Sequence, residues 1–457
     1  MKYSKRSKLK KIICETKEGA HNFYALTNHS LSDYNGIAIH KSRKEGGFLY
    51  YHRHIEPVVE RIAKRKPVLV LTGARQVGKS TMLKEIYNTI NYVTLNRPLV
   101  RESAKDNPSI FFEEYKPPVI VDEIQKAAEL LDYIKDIVDE NKIKGQFYLT
   151  GSQSLKLMKN VSDSLAGRVG IIKMLGLSIR ELAENPYRIP FLPTREHMIA
   201  AEQGSKGLNY KKVVSCIHKG FFPELHEVES DLHDWADFHS SYFQSYIEKD
   251  IKDVLNIQDE SAFIKFVKAT ASLTGEMLNL TTLAEICGKD VKTVKSWLSV
   301  LESSGLVYLL EPYYNNFNKR LIKTPKMYFL DTGLACWLLG WNTPEQLTNG
   351  AMWGHIFETF VFGEILKSYY NDGIVKPPLY YYRDKDKNEI DIVIEDGGIL
   401  YPIEIKTTSD PTKSMVNSFR LLEGIPGRQA GTGAIICLAK ERLPLKENVW
   451  ILPAQNI

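Results

Sequence analysis

The chain has 457 residues, of which 43% are hydrophobic and 25% are charged, and its formal net charge is +5. This composition excludes a wholly disordered chain, and the length predicts about two to four domains with ordinary apolar cores. The mild positive charge permits nucleic-acid binding without requiring it.

The spacing of the cysteines and the lengths of the apolar runs indicate the cellular compartment of the protein. The five cysteines occur singly, with no C-x-x-C pair, which excludes a disulfide framework or a cysteine zinc cluster and favours a reducing cytosol. The basic start of the chain leads into too few apolar residues for the h-region of a signal peptide. No run approaches the ~20 apolar residues of a membrane span. We therefore expect a cytoplasmic protein with no membrane contact.

Changes of pattern along the chain predict five segments. Residues 1–50 lack periodicity and are expected to form a basic, poorly ordered arm. In residues 51–195, short apolar runs alternate with helical stretches, which predicts a parallel sheet covered by helices. Residues 196–275 are predicted to be helical, residues 276–345 to be winged-helix-like, and residues 346–457 to form an α/β domain.

The most informative motif is the run G-A-R-Q-V-G-K-S, which follows an apolar run ending at Thr72 and precedes a helical pattern. In that context, glycines let backbone amides converge on an anion at a helix N-terminus. Lys79 is expected to reach the β- and γ-phosphates of a nucleoside triphosphate, and the Ser80 hydroxyl to ligate Mg²⁺. The residues predicted to bind the nucleotide are Gly73, Ala74, Arg75, Gln76, Val77, Gly78, Lys79, Ser80 and Thr81.

A second apolar run ends in two acids, Asp122 and Glu123. An Asp at a strand tip beside a phosphate loop holds Mg²⁺ through its water shell, and the next Glu orients or deprotonates the attacking water. We therefore predict Ser80 and Asp122 as metal-binding residues and Glu123 as a catalytic residue. The alternative is an ordinary strand followed by a helix cap at Asp122.

Three further polar residues are candidates for catalysis. Thr150 and Ser152 follow a third apolar run, where either one would contact the γ-phosphate or the water. Arg168 offers a guanidinium that senses the nucleotide of its own chain or acts as an arginine finger on a neighbouring subunit of a homo-oligomer. A surface salt bridge is the alternative for Arg168.

The pattern from residue 280 to residue 301 predicts a helix–turn–helix, with a glycine turn at Gly288. Two runs that begin at Gly305 and Lys326 are predicted to pair as the wing of a winged helix. Nearby basic residues are candidates for contact with nucleic-acid phosphates: Lys289, Lys292, Lys295, Lys319, Arg320 and Lys323. A plain packing module with solvated lysines is the alternative.

Charged residues on two predicted strands of the C-terminal segment form a second candidate site. The period of two places Asp391 on one face of the first strand, and Glu404 with Lys406 on one face of the second. A glycine hairpin would set the strands side by side, so that these three residues converge. An upstream helix would project Glu358 toward the same point.

Two carboxylates with a neighbouring carbonyl suit Mg²⁺ or Mn²⁺, and a lysine beside them suits a water that attacks phosphorus. The order helix-Glu, strand-Asp, strand-Glu-x-Lys resembles the restriction-endonuclease-like superfamily, although Ile390 stands where that superfamily often has proline. The resemblance implies the fold more firmly than the cleavage. Two amphipathic strands with solvated charged faces are the alternative, and we favour an inactive relic or a binding surface over a nuclease.

The motifs as a set resemble a family of prokaryotic ATP-binding proteins that pair an AAA-type P-loop domain with a C-terminal domain of unknown function. The resemblance covers residue 50 to the end, and it implies ATP binding, an AAA-like core and a cytoplasmic protein without an agreed substrate. The segments that carry it are GARQVGKST (73–81), VIVDE (119–123), LTGSQS (149–154), SLAGR (164–168), LGLSIREL (175–182), KMYFLDTG (326–333), FETFV (357–361), YYR (381–383) and EIK (404–406).

The predicted fold class is therefore α/β: an AAA-type P-loop core, a helical and winged-helix region, and an α/β restriction-endonuclease-like C-terminal domain. The leading hypothesis is a Mg²⁺-dependent ATPase whose nucleotide state moves a C-terminal module that acts on DNA or RNA. One alternative is a nucleotide-dependent scaffold that binds a protein partner and cuts nothing. Another is a metal-dependent nuclease with a regulatory P-loop domain.

Overall fold

The computed structural model describes residues 42–43, 49–151, 161, 163–204, 208–227, 231–251, 257–314 and 324–457, with the backbone alone for residues 42–43 and 248–251. Most of the predicted N-terminal arm lies outside these residues, and so do Ser152, Lys319, Arg320 and Lys323.

The strands of the described residues, in chain order, are β1 (Ser42–Arg43), β2 (Leu49–Tyr50), β3 (Val68–Thr72), β4 (Asn91–Thr94), β5 (Val119–Asp122), β6 (Phe147–Gly151), β7 (Val169–Lys173), β8 (Glu276–Met277), β9 (Val307–Leu310), β10 (Lys326–Phe329), β11 (Leu379–Arg383), β12 (Glu389–Asp396), β13 (Ile399–Ile405), β14 (Gln429–Ala430), β15 (Gly433–Cys437), β16 (Leu443–Lys446) and β17 (Val449–Pro453).

The α-helices of the same residues are α1 (Glu56–Ala63), α2 (Lys79–Ile86), α3 (Pro98–Asp106), α4 (Pro108–Glu114), α5 (Leu130–Asn141), α6 (Ile179–Leu182), α7 (Arg195–Gly204), α8 (Tyr210–Lys219), α9 (Glu224–Glu227), α10 (Leu232–Tyr242), α11 (Glu260–Ser272), α12 (Leu280–Cys287), α13 (Val291–Ser303), α14 (Thr332–Leu339), α15 (Pro344–Asn349) and α16 (Trp353–Asn371). A π-helix spans Phe243–Ile251, and 3₁₀ segments span Ile124–Ala127, Lys413–Leu422 and Ala454–Asn456.

The N-terminal domain is built on a parallel sheet with the strand order β4-β5-β6-β3-β7. Both faces of β3 are buried, because Val68 and Val70 enter one core while Leu69 and Leu71 enter another. An unbroken apolar run is what such a two-sided strand requires. The predicted parallel sheet is confirmed, and its carboxyl edge brings Thr72, Asp122 and Gly151 together.

The middle of the chain is helical up to α11, as predicted, and then forms a small antiparallel sheet. In that sheet β10 lies between β8 and β9. The helices α12 and α13 meet at Gly288, whose φ of 63° belongs to the left-handed region that glycine adopts without strain. The helix–turn–helix and the pairing of β9 with β10 therefore agree with the sequence pattern.

The C-terminal domain contains a mixed sheet with the order β11-β12-β13-β15-β17-β16, in which β14 also pairs with β13. The pair β12–β13 is the predicted hairpin, and it turns at Gly397 and Gly398. The edge strand β11 is bridged to the segment after β9, since Tyr313 N donates to Tyr381 O at 2.6 Å. This contact brings the central sheet against the C-terminal sheet.

The long helix α16 connects the parts of the fold. Its residues from Ile356 to Asn371 are almost all buried, and its apolar side chains share one continuous core with β3, the helical middle and the inner face of the C-terminal sheet. A helix that is apolar on all sides must be enclosed by neighbours. Within the described residues, no helix is long and apolar enough to cross a membrane.

Three histidines near the helical middle are held neutral. The Nε2 atoms of His54 and His226 lie 2.8 Å from the carbonyl oxygens of Asn185 and Gly220, and that of His197 contacts Pro190 O. Burial lowers the pKa of His54, His197 and His226 to about 4. Each imidazole is therefore uncharged in the folded chain at neutral pH.

These histidines should make the fold acid-sensitive. Because the unfolded chain binds more protons below pH ~6.5, stability should fall between pH ~6.5 and ~4, by up to about 1.4 kcal/mol per pH unit for each histidine. His54→Gln should reduce the acid-induced drop in the thermal unfolding midpoint, and the exposed control His233→Gln should not. An unchanged drop in His54→Gln would contradict this assignment.

Candidate functional site: a phosphate loop and a C-terminal charge cluster

The loop between β3 and α2 has the backbone of an anion cradle. Gly73 and Gly78 have φ values of 144° and 92°, and Gln76 also has a positive φ of 61°. Helix α2 begins at Lys79 directly after Gly78, so that free backbone N–H groups and the positive end of the helix dipole face the loop. This is the predicted strand–loop–helix context.

Gly73 is required for a steric reason as well. A Cβ atom at this position would lie 2.0 Å from the carbonyl oxygen of Met174, at the end of β7. The backbone at Met174 therefore packs directly against the phosphate loop at Gly73. Only glycine satisfies both the φ of 144° and this close approach.

The Lys79 side chain is folded into the loop. Its Nζ donates hydrogen bonds to Gly73 O at 3.0 Å and to Ala74 O at 2.6 Å. Burial lowers the pKa of Lys79 to about 8, although the nearby Glu123 and Asp122 oppose that shift. The ammonium thus lies in the anion cradle, where its hydrogen-bond acceptors are two neutral carbonyl oxygens that an anion could replace.

Hydroxyl groups from three strands or helices converge on Asp122. Ser80 Oγ donates to Asp122 Oδ1 at 2.5 Å, Tyr92 OH donates to Oδ2 at 2.9 Å, and Thr150 Oγ1 also bonds Oδ1. A hydroxyl and a carboxylate beside a phosphate loop are the donors that suit Mg²⁺. The predicted pair Ser80 and Asp122 is therefore brought together.

Glu123 stands at the tip of β5 in a left-handed conformation, with a φ of 61°. Its backbone N–H donates to Thr150 Oγ1 at 3.4 Å, and its carboxylate accepts from the Gln125 side chain. A non-glycine residue at positive φ is strained, and such strain commonly marks functional sites. Glu123 and Thr150 thus lie at the same edge of the sheet as the loop.

A cleft of about 390 Å³ opens beside the loop, and sequence reasoning did not identify it. It is bounded by the segment that leads into α1 and by the start of α9. Its lining includes Tyr50, Tyr51, Arg53, Gln76, Gly78, Thr81, Pro223, Glu224 and Glu227. The cleft has the size and position for the nucleoside part of a nucleotide whose phosphates lie on the loop.

Arg53 is a second residue that the sequence did not reveal. Its guanidinium donates to Val77 O at 2.9 Å, to Leu175 O at 2.8 Å and to Gly176 O at 3.0 Å, and its Nε lies 3.2 Å from Glu181 Oε1. The side chain is buried, so it ties the phosphate loop to the segment after β7. No local pattern distinguishes such an arginine from an exposed one.

The structure corrects one of the two roles predicted for Arg168. This residue precedes β7 at the amino edge of the sheet, whereas the phosphate loop lies at the carboxyl edge. Its guanidinium makes a two-pronged ion pair with the exposed Asp139, at 2.5 and 2.7 Å. Sensing of the nucleotide in its own chain is therefore wrong, and the role in a neighbouring subunit stays a prediction.

The C-terminal candidate residues do converge. Lys406 Nζ lies 2.5 Å from Glu404 Oε1 and 3.7 Å from Asp391 Oδ2, and Ile405 N donates to Asp391 Oδ2 at 2.8 Å. The hairpin of β12 and β13 produces this arrangement. Glu358, on α16, joins the group through a residue that sequence reasoning had not assigned to it.

That residue is Lys326, on β10. Its Nζ lies 2.7 Å from Glu358 Oε1, 2.8 Å from Glu389 Oε1 and 3.9 Å from Asp391 Oδ1. Tyr328 OH also donates to Glu358 Oε1, at 2.8 Å. The sequence indicated only that Lys326 begins a strand, because its nearest carboxylate partners are more than 30 positions away.

Burial dominates the electrostatics of this cluster. It raises the pKa of Glu358 to about 7 and that of Glu404 to about 8, and the charge of Asp391 adds to both shifts. Burial alone would lower the pKa of Lys326, but Tyr328 and the carboxylates hold it well above its usual range. In the described part of the chain, no three His, Cys, Asp or Glu residues are grouped to hold a metal ion. The structure therefore does not show the possible second Mg²⁺ or Mn²⁺ centre.

Three protein-family models match the chain. Residues 65–183 match an AAA domain, residues 210–345 match a domain of unknown function (DUF8612), and residues 353–457 match another domain of unknown function (DUF4143). Together with the loop geometry, the first match identifies an AAA-type P-loop domain. The C-terminal match names no activity, so the restriction-endonuclease-like assignment stays a prediction.

The chain is also similar to two proteins that are named as uncharacterized. It is 26% identical to the uncharacterized protein Rv2008c of Mycobacterium tuberculosis over 402 residues, which cover 87% of this chain and 82% of the relative. It is 23% identical to the uncharacterized protein MJ1637 of Methanocaldococcus jannaschii, over 74% of this chain and 75% of the relative.

Two solved structures show a more distant likeness. The Walker-type ATPase PABY2304 of Pyrococcus abyssi is 14% identical, with a TM-score of 0.38, and the match covers 63% of this chain and 96% of the ATPase chain. The RuvB Holliday junction branch migration motor of Thermotoga maritima is 17% identical, with a TM-score of 0.27, and the match covers 56% of this chain and 86% of the RuvB chain. With TM-scores below 0.5, these likenesses assign no activity to the chain.

The close approach at Gly73 can be tested with a matched glycine. Gly288 also has a positive φ, but a Cβ there would meet nothing within 4 Å. Gly288→Ala should cost only the conformational penalty of about 1 kcal/mol, whereas Gly73→Ala should cost more and should also weaken nucleotide binding. Thermal unfolding and titration with a fluorescent ATP analogue measure the two effects. Equal losses in the two variants would contradict the proposed steric role.

Proposed function

We propose that the protein is a Mg²⁺-dependent ATPase. One observation carries the proposal: Lys79, Ser80, Asp122, Glu123 and Thr150 meet at the carboxyl edge of one parallel sheet, beside a glycine loop. The match of residues 65–183 to an AAA domain supports the same conclusion. The products would be ADP and phosphate.

The residues present fit the nucleotide and its metal. Lys79 would exchange its two carbonyl partners for the β- and γ-phosphate oxygens, which attract the ammonium more strongly than neutral carbonyls do. Ser80 Oγ would ligate Mg²⁺ directly, and Asp122 would hold its water shell. When bound, the ion neutralises charge on the phosphates.

Glu123 is the residue best placed to orient or deprotonate the attacking water. Its carboxylate lies at the strand tip next to Asp122, and the hydrogen bond from its N–H to Thr150 fixes its backbone. A carboxylate in this position contributes by holding the water in line and by accepting its proton. Thr150, which bonds Asp122, supports this arrangement as a positioning residue.

A second candidate function concerns the C-terminal cluster. The convergence of Asp391, Glu404 and Lys406 supports a site that binds the phosphodiester backbone of DNA or RNA. The exposed Lys292 and Lys295 on α13 supply a basic helix face for phosphate contacts. Lys289 is less suited to that role, because it pairs with Asp259 at 2.7 Å.

Helix α16 supports coupling between the two sites. It carries Glu358 at one end, and further along Lys367 Nζ donates to Leu177 O at 2.8 Å while Ile179 N donates to Glu364 Oε2 at 2.7 Å. The segment that contains Leu177 also accepts the hydrogen bonds of Arg53.

The alternative function is a scaffold that binds a protein partner. This alternative predicts no salt-dependent binding to mixed-sequence DNA.

Lys79 and Glu123 should affect ATP turnover differently. Lys79→Met removes the charge that meets the phosphates, so both ATP affinity and turnover should fall, the latter by about a hundred-fold or more. Glu123→Gln keeps the shape and the metal site, so ATP should bind while turnover falls about a hundred-fold. Phosphate-release and ATP-binding assays measure both quantities. The exposed controls Lys64→Met and Glu129→Gln should retain parental activity; parental rates in the site variants would refute the assignment.

Arg168 allows a test of subunit cooperation. If its guanidinium acts on the nucleotide of a neighbour, Arg168→Ala should lower turnover by about ten-fold or more without lowering ATP affinity. Asp139→Ala removes the same ion pair but keeps the guanidinium, and should retain turnover. Mixing Arg168→Ala with Lys79→Met subunits should restore part of the activity. Equal behaviour of Arg168→Ala and Asp139→Ala would reduce Arg168 to a surface ion pair.

A further inference from the structure

Lys326 belongs to the central sheet, but its ammonium group forms ion pairs with carboxylates of the C-terminal domain. Strand β10 delivers the ammonium between Glu358 on α16 and Glu389 on β12, at 2.7 and 2.8 Å, with Asp391 Oδ1 at 3.9 Å. The side chain of Lys326 is only 5% exposed. A buried cation within contact distance of two carboxylates and close to a third supplies the positive charge that buried carboxylates require.

A neighbouring carboxylate oxygen points independently to a cation site. Glu404 is 7% exposed, and its Oε2 has no hydrogen-bond partner in the described part of the chain. Its other oxygen already bonds Lys406. A buried carboxylate oxygen that is left without a donor retains the capacity to ligate a cation.

The formal charges of the cluster are nearly balanced. Four carboxylates, those of Glu358, Glu389, Asp391 and Glu404, face three basic groups. The basic groups are Lys326, Lys406 and Arg383, whose Nη1 lies 3.7 Å from Glu389 Oε2. An added divalent ion would bring a net excess of positive charge into a buried site, beside an ammonium that repels it.

We propose that Lys326 determines which ligand this cluster accepts: its ammonium serves as the built-in cation and excludes Mg²⁺ or Mn²⁺ while it is in place. This inference rests on the second candidate function, since it concerns the same carboxylates. It makes the metal affinity of the C-terminal domain depend on a residue of the central sheet. Removal of the ammonium should allow the carboxylates of Glu358, Asp391 and Glu404 to rearrange around a divalent ion.

The test compares Mn²⁺ binding to the full-length chain and to Lys326→Met, by calorimetry without nucleotide. Lys326→Met keeps the length and apolar stem of the lysine but removes its charge. The Kd for Mn²⁺ should fall by about ten-fold or more, because the repulsion disappears and the carboxylates become available. Adding Asp391→Asn should abolish the gain. Lys385→Met, on the turn between β11 and β12, should not change Mn²⁺ binding. The phosphate loop is identical in all chains, so its own metal binding cancels from the comparison.

A companion variant protects the test against misfolding, since unpaired buried carboxylates are destabilising. Lys326→Met/Glu389→Gln removes one positive and one negative charge together and keeps the three expected ligands. Mn²⁺ should raise its thermal unfolding midpoint but not that of the parent. If the parent binds Mn²⁺ as tightly as the variants, the exclusion by Lys326 is refuted while the cation site stands. If neither parent nor variants bind Mn²⁺, both the exclusion and the cation site are refuted.

Discussion

The buried guanidinium of Arg53 is the interaction on which the arrangement of the nucleotide site depends. It bonds the carbonyl of Val77 inside the phosphate loop, and it bonds Leu175 and Gly176 just after β7. Its charge is balanced by Glu181, which is also buried. Removing one partner of such a pair typically costs about 3–5 kcal/mol, because the other charge is left buried and unpaired. The loop therefore cannot shift without disturbing the segment that follows β7.

The same segment is held from its other side by α16. Lys367 bonds the carbonyl of Leu177, and Glu364 accepts from the N–H of Ile179, next to the residues that Arg53 holds. Six residues before Glu364, the same helix carries Glu358 into the C-terminal charge cluster. In the proposed function, this helix is the physical route by which the occupancy of one site alters the other. The continuous apolar core around α16 makes this route stiff.

Residues close in sequence were predicted well, for physical reasons. The β3–loop–α2 unit is local, so its apolar run, glycines and lysine determine its geometry. The β12–β13 hairpin is local too, and its period of two predicted that Asp391, Glu404 and Lys406 would meet. The proximity of Asp122 and Thr150, which are farther apart in sequence, was also predictable, because the carboxyl ends of parallel strands lie at one edge of the sheet.

Contacts between distant segments were not predictable from one sequence. Arg53 reaches Leu175 across more than 100 positions, and Lys326 reaches Glu389 across 63. Neither residue has a local pattern that distinguishes it from a solvated cation. The prediction that Arg168 senses the nucleotide of its own chain failed differently: a motif indicated a guanidinium near the nucleotide, but the strand direction puts it at the opposite edge of the sheet. Sheet topology, and not residue type, determines which of these charges belongs to a site.

Hydrogen exchange of the intact chain, with and without Mg²⁺ and a non-hydrolysable ATP analogue, can show whether nucleotide binding at the phosphate loop reaches α16. We expect slower exchange in the phosphate loop and around Arg53, together with changed exchange in the segment from Leu175 to Glu181 and in α16. Protection of the loop alone would show that nucleotide binds but that α16 does not carry its effect. A lack of protection in residues 73–81 would mean that the loop is not the nucleotide site.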